Sequence, residues 1–215
     1  MKVKFCGITR AEDAREAVRL GAWAIGLNHW SGSQRRCDPA TATAISAELR
    51  RQIEIVGVFV NASLAEIAAA VENEQLGMVQ LHGDEGPSFC AEVARRTGAK
   101  VIKALPVHTS ADIQAAEAFR TDFHLLDARI PGARGGTGAS FDWELARTHP
   151  AGIPLILAGG LNPGNVAEAI EIVRPHAVDV ASGTESGPGI KDHALMAEFA
   201  ARANPALAVG GPPPP

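Results

Sequence analysis

Cys6 ends a short, mainly apolar run, Val3-Lys4-Phe5-Cys6, directly before Gly7, and Asp127 follows a second run, Phe123 to Leu126. A thiol and a carboxyl are groups of proton-transfer and nucleophilic chemistry, and both stand where an extended segment gives way to a loop. Each also has an ordinary reading. A lone cysteine is often a small buried hydrophobe, and an aspartate in this place can cap its loop or pair with Arg129 or Arg134. Asn28, Asn61, His82, Lys103, Asp179 and Ser182 hold comparable positions. His82 could simply bond to a loop backbone, and Lys103 could reach out to a carboxylate. Cys37 and Cys90 fall in a loop and a helical stretch, where cysteine reads as packing.

Two glycine-containing segments, Ala158-Gly159-Gly160 and Ala181-Ser182-Gly183, follow further apolar runs. Glycine there lets backbone N–H groups approach phosphate oxygens, and the Gly187-Pro188-Gly189 turn could start a short helix that adds its positive end. The pattern points to a phosphorylated ligand, with ordinary turn glycine as the alternative. Gly132 to Gly138 form a third cluster, read either as a mobile loop over the mouth of a site or as a plain connector. Between Trp30 and Arg36 an indole lies near two guanidinium groups. Arginine takes a carboxylate bidentately and tryptophan offers a stacking face, so an aromatic acid is a natural ligand, although adjacent arginines also make a solvated basic patch.

These residues need elements to position them. Short runs rich in Val, Ile and Leu predict strands at Val3–Cys6, Ala22–Leu27, Ile55–Val60, Met78–Leu81, Val101–Leu105, Phe123–Leu126, Leu155–Leu157 and Ala177–Val180. Helical periodicity predicts helices at Ala11–Leu20, Ala40–Arg51, Leu64–Glu74, Ser88–Arg96, Ala111–Phe119, Trp143–Thr148, Val166–Val173 and Ala194–Ala203. Eight strand–helix units in 215 residues fit a single α/β domain, a (β/α)8 TIM barrel over residues 1–204, better than an open sheet with edges to protect. Active sites in that architecture lie at the C-terminal ends of the strands, where the reactive residues above fall. The Gly- and Pro-rich tail, residues 205–215, is expected to be disordered.

Composition narrows the function. With 20 Lys+Arg against 24 Asp+Glu the net charge is −4, without the basic excess that nucleic-acid binding requires. No apolar run is long enough to span a bilayer and no signal peptide is evident, so a cytoplasmic protein with no membrane partner is expected. Three widely spaced cysteines give neither a disulfide framework nor a zinc motif, so each is expected to be a thiol, with no metal site.

Taken in order, the motifs resemble those of the phosphoribosylanthranilate isomerases of tryptophan biosynthesis. They include Lys4-Phe5-Cys6-Gly7-Ile8-Thr9, Val56 to Asn61, Val79-Gln80-Leu81-His82-Gly83, Leu125-Leu126-Asp127 and Gly135-Gly136-Thr137-Gly138. Leu157 to Asn162, Val178-Asp179-Val180, Ser182-Gly183, Pro188-Gly189 and Lys191-Asp192 complete the series. The resemblance implies a cofactor-free Amadori rearrangement of N-(5-phosphoribosyl)anthranilate to 1-(2-carboxyphenylamino)-1-deoxyribulose 5-phosphate by a monomer or homodimer. It further implies Cys6 as general base, Asp127 as general acid and Arg35 on the anthranilate carboxylate. His82, Asp179, Gly159, Gly160, Ser182 and Gly183 complete the expected substrate contacts. Ser33-Gln34-Arg35 departs from the usual Ser-Pro-Arg, Asn28-His29-Trp30 from a stretch that usually carries phenylalanine, and Ala181 from a usual serine. The alternatives are the related histidine-pathway isomerase, which has aspartate in place of Cys6, and a noncatalytic phosphate-binding barrel. Near neutral pH an unperturbed Cys–Asp pair holds its proton on sulfur, so a bell-shaped pH profile is expected, with strand-end amides lowering Cys6.

Overall fold

The computed structural model describes residues 1–127, 143–150 and 152–204. Eight parallel strands form a closed barrel in sequence order: β1 (Lys2–Cys6), β2 (Ala24–Asn28), β3 (Glu54–Phe59), β4 (Met78–Leu81), β5 (Lys100–Pro106), β6 (Phe123–Asp127), β7 (Leu155–Ala158) and β8 (Ala177–Val180). Around it run α1 (Ala11–Arg19), α2 (Pro39–Leu49), α3 (Leu64–Glu74), α4 (Pro87–Thr97), α5 (Ser110–Ala115), α6 (Trp143–Ala146), α7 (Val166–Val173) and α8 (His193–Ala203). The anticipated (β/α)8 barrel is therefore the fold. The expected Gly132–Gly138 loop and the tail after Asn204 lie outside the described residues.

Alternation along each strand sorts side chains into two layers. Val3 and Phe5 face outward into the main core between barrel and helices, whereas Ala24, Val56, Met78, Ile102, Leu125, Ile156 and Ala177 fill the barrel interior. Caps fix where helices begin. Asp38 accepts from the Thr41 N–H, Ser63 and Glu66 form a reciprocal capping box, and Asp192 accepts from Ala194 and Leu195.

The ring closes where β8 pairs with β1, a register that sets Lys4 beside Asp179 and Phe5 beside Val180. On the other side of β1, Cys6 pairs with Gly26 of β2. Beyond β8 the structure departs from expectation. No α-helix starts at Gly187-Pro188-Gly189; a one-turn 3-10 helix, Ser182–Thr184, leads into the hairpin β9 (Glu185–Gly187) and β10 (Ile190–Lys191). Gly189 takes φ +76°, and this left-handed residue beside Pro188 turns the chain back on itself instead of propagating a helix.

Candidate active site

A cavity of about 510 Å³ opens at the C-terminal ends of the strands. Cys6, Arg35, His82, Asp127, Gly159, Gly160, Asp179 and Ser182 all line it, so eight of the nine expected site residues converge on one mouth. Gly183, the ninth, does not line it.

Cys6 sits on the interior face of β1, two residues beyond Lys4. The Lys4 side chain is fully buried and donates to Asp179 Oδ1 at 2.7 Å. Gly26 leaves the space these groups occupy: a Cβ there would lie 2.8 Å from Cys6 Sγ and 3.2 Å from Lys4 Nζ. Burial pushes the Cys6 thiol above its ordinary value, and the Lys4 ammonium is the strongest influence in the opposite direction. The opposing influence thus comes from a buried cation and not from strand-end amides, and burial outweighs it.

Arg35 is held at both ends. Its stem passes over Gly7, whose φ is +75° and whose added Cβ would lie 2.8 Å from Arg35 Cδ. Its Nε and Nη2 donate to the two carboxylate oxygens of Glu185 at 2.7 to 3.0 Å. Lys191 Nζ reaches the same carboxylate at 3.2 Å and the Ala181 carbonyl at 2.8 Å. Burial alone would raise the Glu185 carboxyl, yet Arg35 and Lys191 outweigh it and hold the carboxyl below its usual range. The loop bearing Arg35 is pinned as well: Asn28 Nδ2 donates to Ser33 Oγ, which accepts from the Arg35 N–H.

Across the mouth, His82 Nε2 lies 3.4 Å from Asp127 Oδ2 and His82 Nδ1 lies 3.0 Å from Gln80 Nε2. With the Gln80 amide assigned as donor, Nδ1 accepts and the ring proton sits on Nε2, facing the carboxyl. The anion end is built from backbone. Gly159 and Gly160 take φ of +89° and +69°, a conformation that costs a side chain dearly. Gly183 is required for another reason, because its Cβ would fall 2.0 Å from the Leu161 carbonyl oxygen; it lets the strand-8 turn press against the strand-7 loop.

Other strand-end residues serve the scaffold. Lys103 points outward from the barrel to Glu85 at 2.8 Å and to the Gly83 carbonyl at 2.6 Å, the carboxylate pairing expected of it. Asn61 binds Asp84, and its N–H reaches Glu85. All three cysteines are thiols, with Cys37 and Cys90 buried. Lys4, Gln80, Glu185 and Lys191 were absent from the sequence-derived site. Of these, Lys4, Gln80 and Lys191 do fall inside the quoted motifs, which carry no sign that their side chains turn toward the site.

Comparison with known proteins bears on the same residues. The family model for N-(5′-phosphoribosyl)anthranilate (PRA) isomerase matches residues 3–202. Proteins named N-(5′-phosphoribosyl)anthranilate isomerase from Geobacter metallireducens and Acidithiobacillus ferrooxidans are 46% and 48% identical, over 94% of this chain and 98% and 97% of their own. The crystal structure of the Thermotoga maritima phosphoribosyl anthranilate isomerase superposes with a TM-score of 0.89 at 42% identity, covering 95% of this chain and 99% of that one. A structure of such an isomerase in complex with reduced 1-(o-carboxyphenylamino)-1-deoxyribulose 5-phosphate gives 0.84 at 40% identity, with the same coverage. With the match running from β1 through α8, across every strand end that builds the mouth, the chain belongs to the phosphoribosylanthranilate isomerase family.

Proposed function

We infer that this protein isomerises N-(5′-phosphoribosyl)anthranilate to 1-(o-carboxyphenylamino)-1-deoxyribulose 5-phosphate, a step of tryptophan biosynthesis. The observation that carries the reading is the family match over residues 3–202, together with a single cavity that gathers Cys6, Asp127 and Arg35.

The chemistry asks for one acid and one base. Opening a ribosylamine ring requires a proton on the furanose oxygen, which in this reading Asp127 gives. The resulting iminium acidifies the neighbouring C2 hydrogen, which Cys6 removes as thiolate, and the enolamine formed then tautomerises to the ketose. His82, 3.4 Å from Asp127, orients that carboxyl. The substrate phosphate lies against the backbone of Gly159, Gly160 and Ser182, with Gly183 holding the two loops together. The anthranilate carboxylate meets Arg35, with Trp30 and Asp179 on the remaining walls.

The protein works in the cytoplasm as a monomer or as a homodimer; a structural relative from T. maritima, 40% identical, is a monomer generated from a dimeric isomerase. The test is a fluorescence assay of purified protein with freshly prepared phosphoribosylanthranilate. Turnover is expected. Tight binding of the reduced product analogue without turnover would identify a noncatalytic barrel instead.

A further inference from the structure

The strand ends around Cys6, together with the loops over them, hold an unusual group of charges for so small a space. Lys4 on β1, Lys191 on β10 and Arg35 in the β2–α2 loop supply three cations; Asp179 on β8 and Glu185 on β9 supply two carboxylates. Charges removed from water need counter-charges, and these three cations share two carboxylate partners, Asp179 and Glu185. Cys6 is the group they surround: Lys4, Asp179 and Lys191 all act on it electrostatically, and it acts in turn on Arg35. Asp127 and His82 line the same cavity from β6 and from the end of β4.

The three cations are not equivalent. Arg35 is committed to Glu185 through two nitrogens, and Lys191 is shared between Glu185 and the Ala181 carbonyl. Lys4 gives one N–H to Asp179 and has two more, and its nitrogen occupies with Cys6 Sγ the space that the missing side chain of Gly26 leaves open. Lys4 is thereby the cation whose head shares its space with the Cys6 sulfur.

We propose that Lys4 is a positioning residue for the isomerisation, an ammonium clamped by Asp179 beneath Cys6 that supplies the counter-charge of the thiolate. The proposal rests on the reading of Cys6 as base. Lys4 transfers no proton; the C2 hydrogen passes to sulfur, and Lys4 stays charged throughout, its own value raised by Asp179 and Cys6 against the opposing effect of burial. A purely structural alternative is that Lys4–Asp179 only fastens β1 to β8.

The test follows alkylation of Cys6 by iodoacetamide as a function of pH, with the site identified by peptide mass, in wild type, Lys4→Met and the double variant Lys4→Met/Asp179→Asn. The double variant leaves no unpaired carboxylate in the barrel, so it protects the fold if the single variant does not. Lys4→Met is expected to move the alkylation midpoint up by about one unit or more and to lower kcat/KM at neutral pH about tenfold or more. Affinity for the reduced product analogue stays the same. The double variant moves the midpoint in the same direction by less, because Asp179 opposes Lys4 in its effect on the thiol. In the wild type, the Lys4 Nζ resonance in a nitrogen-15 NMR titration shifts with the midpoint of Cys6 alkylation. A folded variant with an unmoved midpoint, or a Lys4 resonance indifferent to Cys6 ionisation, overturns the proposal and leaves a strand clamp. Neither readout needs turnover. Failure of the underlying reading shows separately, as near-native kcat in Cys6→Ser.

Discussion

At the scale of single residues, the proposed division of labour makes two side chains irreplaceable for different reasons. Cys6→Ser substitutes a far weaker acid for the thiol, and Asp127→Asn has no proton to transfer. Each is expected to lower kcat by roughly 10²- to 10⁴-fold while affinity for the reduced product analogue, measured by titration, is retained. Binding selects between two neighbours. Arg35 lines the cavity with its head fixed by Glu185, whereas Arg36 is exposed outside it. Arg35→Ala should raise KM by the equivalent of about 2 kcal/mol and Arg36→Ala should leave it unchanged; the opposite pattern would move the carboxylate contact to Arg36. The reactive residues were legible in the sequence because each falls where an apolar run stops. Lys4 was not, since a lysine inside a strand reads as solvent-facing until its counter-charge is known, and Asp179 lies 175 residues further along the chain.

At the scale of elements, the clearest patterns were the most readable: the apolar runs of β4 and β8, buried on both faces, and the helical periodicity of α3 and α7, buried on one, give the bounds the structure shows. Elements too short to show a period were not: β9 and β10, with three and two residues, give no strand signal, and the Gly187-Pro188-Gly189 turn between them reads equally as the start of a short helix. Polar ties across the outer layer were equally invisible. His124 of β6 faces outward and pairs with His149, just past α6, at 2.9 Å, while its other nitrogen meets the Phe119 carbonyl at 3.0 Å. Burial, with His124 beside it, lowers His149 from 6.5 to about 4. The folded state therefore holds His149 neutral where the unfolded chain would protonate it. This contribution to stability is complete above pH 6.5 and is lost as pH falls from there toward 4. Denaturant midpoints are expected to drop across that window, and His149→Gln should flatten the drop; an identical slope in the variant would exclude His149 as its source. Glu185 and Asp13, whose values are lowered, keep stabilising the fold until pH falls below their ordinary 4.5 and 3.8.

At the scale of the whole molecule, closure joins the first and last elements of the barrel. β1 pairs with β8, Phe5 meets Phe199 of α8 edge-on at 6.2 Å with both rings fully buried, and Asn204 bonds to Met1. Phe199→Ala removes packing from that seam and is expected to cost about 3 to 5 kcal/mol, read as one shifted transition by circular dichroism in denaturant. A separate early melting of α8 with the barrel intact would contradict it. The same seam governs how the protein is made. Cys6 lies on the first strand of the barrel, yet Asp179, Glu185 and Lys191, which shape its surroundings, belong to β8 and the hairpin after it and are translated only after the other seven strands. Until β8 and the hairpin after it are made, the nascent chain carries Cys6 as an ordinary thiol. Its special setting appears only when the final strands arrive, so a prematurely released chain has no reactive centre, and the appearance of activity marks the completion of the ring.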